Sequence, residues 1–180
     1  MKIKIGRRCL LYFLIVVALV CESCSKQDPG VKAYNKGLKL IDQRRFEEAL
    51  DMFDYAIQIN PSFAHAYANR GLTVLMLRDD RKSALADFSK AIELNPELAY
   101  VYSNRGNVHA DLGQLEEALS DQNKAIELDP RYINALNNRA NLYLKLGEFE
   151  NAKRDVERAQ SLGGTVERKI LEELEKVSRQ

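Results

Sequence analysis

One pattern recurs along this 180-residue chain at a spacing of 34 or 35 residues. Each copy holds a small residue and two alanines, and the first three copies end in a proline. The members are Gly37, Ala49, Ala56 and Pro61; then Gly71, Ala84, Ala91 and Pro96; then Gly106, Ala118, Ala125 and Pro130; and last Ala140, Ala152 and Ala159. Such a period is typical of solenoids, because one helix pair cannot bury its apolar face alone and stacks on its neighbours.

The third copy, residues 99–132, shows the unit most clearly as two short amphipathic helices. Gly113 separates them, and Asp129 ends the second because a residue before proline is pushed out of the helical region. The second copy has one extra residue, which we expect in the turn at residues 77–83, where a longer loop is tolerated. The predicted units span about residues 30–63, 64–98, 99–132 and 133–166.

The period and its Gly…Ala…Ala…Pro order resemble the tetratricopeptide repeat (TPR) family over about residues 30–166. Tyr67 and Tyr102 stand where that family often has tryptophan, and Gln122 and Val156 where it often has an aromatic residue. The resemblance implies an all-α, TPR-type helical solenoid of four helix-turn-helix repeats. It also implies a concave groove, lined by the first helix of each repeat, that holds a peptide segment.

Residues 165–180 predict a final helix that covers the open end of the solenoid. Thr165 is suited to be its N-cap. An apolar stripe follows at Val166, Ile170, Leu171, Leu174 and Val177. Because the last unit of a solenoid otherwise leaves apolar surface in water, we expect this helix to be a cap. A partner-binding helix is the alternative.

The first 24 residues are predicted to be a targeting segment rather than part of the fold. A basic start precedes twelve apolar residues that end at Cys21, fewer than the roughly 20 of a spanning helix and typical of a signal peptide. The Ser-Cys-Ser-Lys sequence around Cys24 then resembles a bacterial lipoprotein signal of the Bacteroidetes type, which implies lipidation of Cys24. Cys21 is the alternative acceptor.

We therefore expect a signal peptide at residues 1–23, a lipid-anchored linker at 24–29 and the repeat domain at 30–180. The predicted location is the cell envelope, as a lipid-anchored membrane protein that faces the periplasm. A signal-anchored inner membrane protein or a secreted protein is the alternative. Because the linker is short, the anchor would hold the first repeat close to the bilayer.

The composition gives no indication of an enzyme. The formal net charge is +1, so no net field favours nucleic acid. All three cysteines lie in the first 24 residues, and His65 and His109 lie in different repeats, so we expect no metal site in the repeats. The sequence contains no phosphate-binding glycine loop, HExxH or GxSxG motif. We expect no catalytic residue, no cofactor and no small-molecule substrate.

Three arginines are each followed by an aspartate 16 or 17 residues later. The pairs are Arg70 with Asp87, Arg105 with Asp121, and Arg139 with Asp155. The first repeat has Lys36 and Met52 at these positions, and the joint loss of both partners indicates that they meet across the helix pair. We expect ion pairs within the repeats, and a row of anion-binding arginines is the alternative.

The groove lining that the resemblance implies changes along the chain from apolar and aromatic to rich in amides. Asparagine is a poor helix former, but its side chain donates and accepts hydrogen bonds and can pair with a peptide backbone. The candidate peptide-binding residues are Asn69, Leu72, Tyr100, Asn104, Asn107, Asn134, Asn137, Asn138 and Asn141. We expect Asn107, Asn138 and Asn141 to face the groove together, with Tyr100 and Leu72 beside them.

Some members of the family grip the C-terminal carboxylate of heat-shock chaperones. Asn107 and Asn138 match the two asparagines of that site, but Ser103 stands where a lysine is expected, so we do not expect this activity. The sequence favours a non-enzymatic adaptor or assembly scaffold that is tethered to a bacterial membrane and binds a peptide segment. A permanent structural subunit of an envelope complex, with a large apolar outer patch, is the alternative.

Overall fold

In the computed structural model, which describes residues 28–178, each repeat consists of two helices that pack against each other. In chain order the helices are α1 (Pro29–Asp42), α2 (Phe46–Ile59), α3 (Ala64–Arg78), α4 (Arg81–Leu94), α5 (Ala99–Asp111), α6 (Leu115–Leu128), α7 (Ile133–Leu146), α8 (Phe149–Ser161) and α9 (Arg168–Ser178). All regular structure in the described residues is helical. The predicted signal peptide and most of the predicted linker lie outside them.

The four helix pairs stack in chain order. Helix α1 packs on α2, α3 on α4, α5 on α6 and α7 on α8, and each second helix also packs on the first helix of the next repeat. First helices meet as well, because α5 contacts α7 directly. This is the all-α, TPR-type solenoid that the sequence predicts, and α9 packs on α7 and α8 at its end.

The two helices of each repeat approach most closely at the recurring small residue. A Cβ atom added to Gly37 would lie 2.6 Å from the ring of Phe53, well inside van der Waals contact. In the fourth repeat the opposing side chain is the smaller Val156, and Ala140 takes the place of the glycine. The alanines of the second helices at this contact are fully buried: Ala49, Ala84, Ala118 and Ala152.

A residue in the left-handed conformation lies in the turn between the two helices of each repeat. The φ angle is 59° at Arg44, 51° at Asp79, 75° at Gly113 and 76° at Gly147. The extra residue of the second repeat precedes this position, because Asp79 lies eight residues after Gly71 whereas Arg44 lies seven after Gly37. It therefore lengthens the end of α3, within residues 77–83, and not the loop, which has two residues as in the fourth repeat.

The substitution Arg44→Gly should raise the free energy of unfolding by up to about 1 kcal/mol, because positive φ strains any residue with a Cβ atom and does not strain glycine. The substitution Gly147→Ala, at the equivalent position, should lower it by a similar amount. Urea unfolding of the two variants measures both changes. Equal stability of Arg44→Gly and the wild type would show that this turn is unstrained.

The C-terminal helix α9 begins at Arg168, so the predicted start at residue 165 is wrong. The main-chain carbonyl of Glu167 accepts the first hydrogen bond of the helix, from the amide of Ile170. Thr165 is not the cap, because it lies three residues before the first residue of the helix. Its main-chain carbonyl instead accepts a 2.8 Å hydrogen bond from Asn137 Nδ2. The capping role is confirmed, since Ile170 is 2% exposed and packs on apolar side chains of α7 and α8.

The three predicted ion pairs are confirmed, and all are bidentate. Arg105 Nε and Nη2 donate to the two carboxylate oxygens of Asp121 at 2.9 and 2.7 Å. The same geometry joins Arg70 with Asp87 and Arg139 with Asp155. The aspartates lie almost completely inside the repeat, with 9% or less of each side chain exposed, so the pairs cross the interior between the two helices.

Each of these arginines also binds the second helix of the preceding repeat. The Nη1 atom of each arginine donates to one side chain there. Arg70 donates to Asp54 at 2.6 Å, Arg105 to Ser89 at 3.2 Å and Arg139 to Asn123 at 2.7 Å. The hydrogen bonds to the aspartates raise the pKa of all three guanidinium groups. Because the guanidinium groups are occupied by partners within the chain, the arginines link neighbouring repeats and do not form an anion-binding row.

The substitution Asp121→Ala should lower the free energy of unfolding by roughly 1–3 kcal/mol, because it leaves a mostly buried guanidinium without its main acceptor. The substitution Glu93→Ala is the matched control. It removes an exposed pair with Lys90 and should change stability by less than about 0.5 kcal/mol. If chemical denaturation gives the same small loss for both variants, the bidentate pair does not stabilise the third repeat.

Candidate functional site

The first helices lie side by side and are linked through side chains that are 35 residues apart. The linked pairs are Asn69 Nδ2 with Tyr34 Oη at 3.1 Å, His65 Nδ1 with Tyr100 Oη at 2.8 Å, and Asn138 Nδ2 with Ser103 Oγ at 3.2 Å. These hydrogen bonds join α1 to α3, α3 to α5 and α5 to α7. We call the surface that they follow the inner surface, and it is where the sequence predicts the groove.

A groove of about 290 Å³ lies between α5 and α7. Its lining residues are Asn107, Ala110, Asp111, Asn138, Asn141, Leu142 and Lys145. Three candidate residues therefore come together as the sequence predicts, namely Asn107, Asn138 and Asn141. Tyr100 and Leu72, which we expected beside them, do not line this groove. We call it the amide groove.

A buried glutamine on α6 orients the side chains of the amide groove. Gln122 is fully buried, and its Nε2 donates to Asn107 Oδ1 and to the main-chain carbonyl of Ser103, both at 3.0 Å. Its Oε1 accepts from Ser103 Oγ at 2.9 Å, and the same Oγ accepts from Asn138. A single buried side chain thus fixes Asn107 directly and Asn138 through one hydroxyl. The sequence shows Gln122 as a departure from the family pattern but does not indicate this role.

The amides of this groove differ in how much hydrogen-bonding capacity they keep. Asn107 uses its oxygen for Gln122 and keeps its two N–H donors, whereas Asn138 uses one N–H and keeps its oxygen. Asn141 makes no side-chain hydrogen bond to any other residue in the described range, and the same is true of Asn104, which does not line this groove. The groove therefore offers both donors and acceptors to a bound group.

Three other candidate asparagines have partners outside this groove. Asn69 donates to Tyr34 and to the main-chain carbonyl of His65 at 2.9 Å. Asn137 donates to the main-chain carbonyl of Thr165, and its Oδ1 is buried without a partner among residues 28–178. Asn134 lies near Tyr132, whose pKa is raised by burial and is lowered in part by Asn134. Asn69 and Asn137 thus bind elements of the solenoid itself, which the local sequence does not reveal.

Tyr100 belongs to a cluster of tyrosines rather than to a bare apolar surface. Its ring is parallel to that of His65 with a centroid distance of 6.1 Å, and its hydroxyl is bonded to the same imidazole. Burial raises the pKa of Tyr100, and the nearby Tyr34 and Tyr132 act in the same direction. Burial also raises the pKa of these two neighbours. All three hydroxyls are therefore neutral at physiological pH and remain hydrogen-bonding groups.

The apolar part of the predicted lining lies on α3. Leu72 is 37% exposed, and Met76, one helical turn later, is 55% exposed. Residues four apart lie on the same face of a helix, so the two side chains form one apolar strip. Met76 is absent from the predicted lining, although its spacing from Leu72 in the sequence indicates the same helix face. The inner surface is thus apolar in the second repeat and polar in the fourth.

The described residues contain neither a cluster of metal ligands nor a helix that could span a membrane. Between residues 28 and 178, no group of three or more His, Cys, Asp or Glu side chains is placed to hold a metal ion. None of the helices α1 to α9 combines the length and the apolar character needed to cross a membrane.

Family models of the tetratricopeptide repeat match residues 34–82, 80–113, 106–147 and 133–162, and so follow one another through all four repeats. The chain belongs to the tetratricopeptide repeat family. The match confirms the family that the spacing of glycines, alanines and prolines indicates. No protein of curated function matches the sequence.

Solved TPR structures share the fold. The first TPR of Spaghetti (RPAP3), bound to the HSP90 peptide SRMEEVD, is 26% identical and superposes with a TM-score of 0.64 over 68% of this chain and 96% of that chain. TTC0263, a thermophilic TPR protein in Thermus thermophilus, is 25% identical, with a TM-score of 0.65 over 74% of each chain. MamA, at 19% identity and a TM-score of 0.67 over the whole of both chains, shows the fold alone.

Proposed function

We propose that the protein is a non-enzymatic interaction module that binds a peptide segment of a partner protein on its inner surface. The observation that supports this most directly is the amide groove, where Asn107, Asn138 and Asn141 lie together and two of them are held by internal hydrogen bonds. Side chains held in place before binding lose little conformational freedom when a ligand arrives.

The chemistry of the inner surface favours a segment of low net charge, because the amide groove carries one carboxylate, Asp111, and one ammonium group, Lys145. The free N–H groups and oxygens of the amides suit the alternating donors and acceptors of a peptide backbone, and Leu72 and Met76 suit apolar side chains. The similarity to a TPR domain bound to an HSP90 peptide supports peptide binding as a class. Ser103 replaces the expected lysine and is bonded to Gln122, so an acidic chaperone tail is a poor fit.

We further propose that lipidation of Cys24 tethers the protein to a bacterial membrane on the periplasmic side of the cell envelope. The sequence motif supports this, and Cys24 itself lies outside the described residues. The solenoid begins soon after it, because Asp28 Oδ1 accepts hydrogen bonds from the amides of Gly30 and Val31 and so caps α1. The four residues between Cys24 and α1 span about 15 Å at most.

Peptide binding can be tested by placing a photocrosslinking residue at position 141 and irradiating cells. Position 35 is the matched control, because Asn35 is also on a first helix but lies in the first repeat, away from the amide groove. We expect a discrete crosslinked partner from position 141 and none from position 35. Crosslinks from position 35 alone would place the binding surface elsewhere.

The identified partner then allows a quantitative test with purified proteins. The substitution Asn141→Ala should weaken binding by about 1 kcal/mol, or roughly fivefold in Kd, for one lost hydrogen bond. It should leave the melting temperature unchanged or higher, since the side chain of Asn141 has no hydrogen-bond partner among residues 28–178 and alanine is the better helix former. Unchanged affinity would exclude Asn141 from the site.

The tether has its own test. The substitution Cys24→Ala should abolish incorporation of labelled fatty acid and move the protein from the membrane fraction to the soluble fraction. The substitution Cys21→Ala is the control and should leave both unchanged. Loss of labelling in Cys21→Ala, with labelling retained in Cys24→Ala, would identify Cys21 as the acceptor.

A permanent subunit of an envelope complex is the second candidate function. Leu146 and Phe149, both 38% exposed, flank the turn between α7 and α8 and supply apolar surface outside the amide groove. A photocrosslinker at position 149 tests this candidate. A stoichiometric adduct there, with none at position 141, would favour the permanent subunit.

A further inference from the structure

The N-terminal end of the solenoid carries a row of lysines. Lys32, Lys36 and Lys39 are exposed and are spaced four and three residues apart, which places them on one face of α1. They line a shallow surface groove together with Asn35, Leu38 and Asp42. Three ammonium groups share this surface with the carboxylate of Asp42. Glu48 also interacts with Lys36, but it is paired with Arg45, so the surface keeps a net positive charge.

The repeat pattern shows which way this row faces. Lys36 occupies the position that holds Arg70, Arg105 and Arg139 in the later repeats, and each of those side chains binds the second helix of the preceding repeat. No helix precedes α1 in the described residues. The side of α1 that carries Lys36 is therefore the end surface of the solenoid.

Two apolar side chains of α2 lie near the point where the chain enters the solenoid. Tyr55 is 45% exposed and Ile59 is 42% exposed. Ile59 Cγ2 would lie 3.3 Å from a Cβ atom added to Gly30, at the start of α1. In the alignment of the repeats, Tyr55 of the first repeat corresponds to Arg158 of the fourth. The side chain of Arg158 donates to the main-chain carbonyl of Pro130, in the loop that precedes the fourth repeat. Tyr55 lies one helical turn before Ile59 on the same face of α2, and so near the start of α1.

We infer that this N-terminal face, formed by Lys32, Lys36, Lys39, Tyr55 and Ile59, docks on an anionic lipid surface. The inference rests on the membrane tether proposed above. Lysines are attracted to anionic headgroups within about a Debye length, roughly 8–10 Å, and a tether of about 15 Å keeps the face near that range. Tyrosine favours the boundary between headgroups and acyl chains. Docking would orient the solenoid on the membrane with its N-terminal end down and its inner surface accessible from the side.

Because the chain contains no tryptophan, the fluorescence of a single introduced tryptophan reports on one position only. The full chain, extracted with its anchor and carrying Tyr55→Trp, is added to vesicles of phosphatidylcholine with or without phosphatidylglycerol, each containing brominated lipid. We expect severalfold stronger quenching of the tryptophan in the vesicles that contain phosphatidylglycerol, and loss of that difference at high salt. The variant Phe149→Trp is the matched control, since it is similarly exposed but lies in the fourth repeat, and it should not be quenched.

A second variant tests the lysines. This protein combines Tyr55→Trp with Lys32→Gln, Lys36→Gln and Lys39→Gln. It should sediment with the vesicles and melt at the same temperature as the Tyr55→Trp protein, yet lose the quenching. Equal quenching of Tyr55→Trp and Phe149→Trp, or equal quenching with and without phosphatidylglycerol, would overturn the inference. Failure of the anchored chain to sediment with either vesicle would instead contradict the tether of the proposed function.

Discussion

Close contact between the two helices of each repeat determines what the rest of the molecule can do. The contact requires glycine or alanine on the first helix, and the side chain opposite it fills the space between them. That side chain is Phe53 in the first repeat and Phe88 in the second, and both rings are fully buried. In the third repeat it is Gln122, whose amide extends from the helix contact to the inner surface. One packing position thus links the core of the third repeat to the groove, whereas the same position in the first two repeats is purely apolar.

Much of the fold could be predicted because it depends on features that are periodic in sequence. The spacing of small residues indicated the helix pairs, and the joint absence of arginine and aspartate from the first repeat indicated the ion pairs. The structure also explains the tyrosines at positions 67 and 102. The guanidinium carbon of Arg70 lies 5.4 Å from the ring centre of Tyr67, and that of Arg105 lies 5.7 Å from the ring centre of Tyr102. A cation near an aromatic face is favourable, so tyrosine is well suited to these positions.

The parts that could not be predicted depend on contacts between distant residues. Thr165 has the chemistry of an N-cap, but its carbonyl is bound by Asn137, 28 residues earlier, and the helix starts later. Asn69 and Asn137 match the amide pattern of the groove, yet each is used to join one element to another. The spacing of asparagines shows which side chains share a helix face and does not show which of them already have partners. Asn107, Asn138 and Asn141 were found because their positions in adjacent repeats bring them to the same groove.

Two sets of hydrogen bonds connect neighbouring repeats, one between first helices and one that reaches the second helix of the preceding repeat. One set joins first helix to first helix along the inner surface, through pairs such as Tyr34 with Asn69. The other joins each arginine to the second helix of the preceding repeat. Each repeat is therefore joined to its neighbour through both of its helices, and this double connection restricts how far one repeat can rotate relative to the next. A segment that binds as proposed would meet a surface whose shape is set in advance by bonds within the chain.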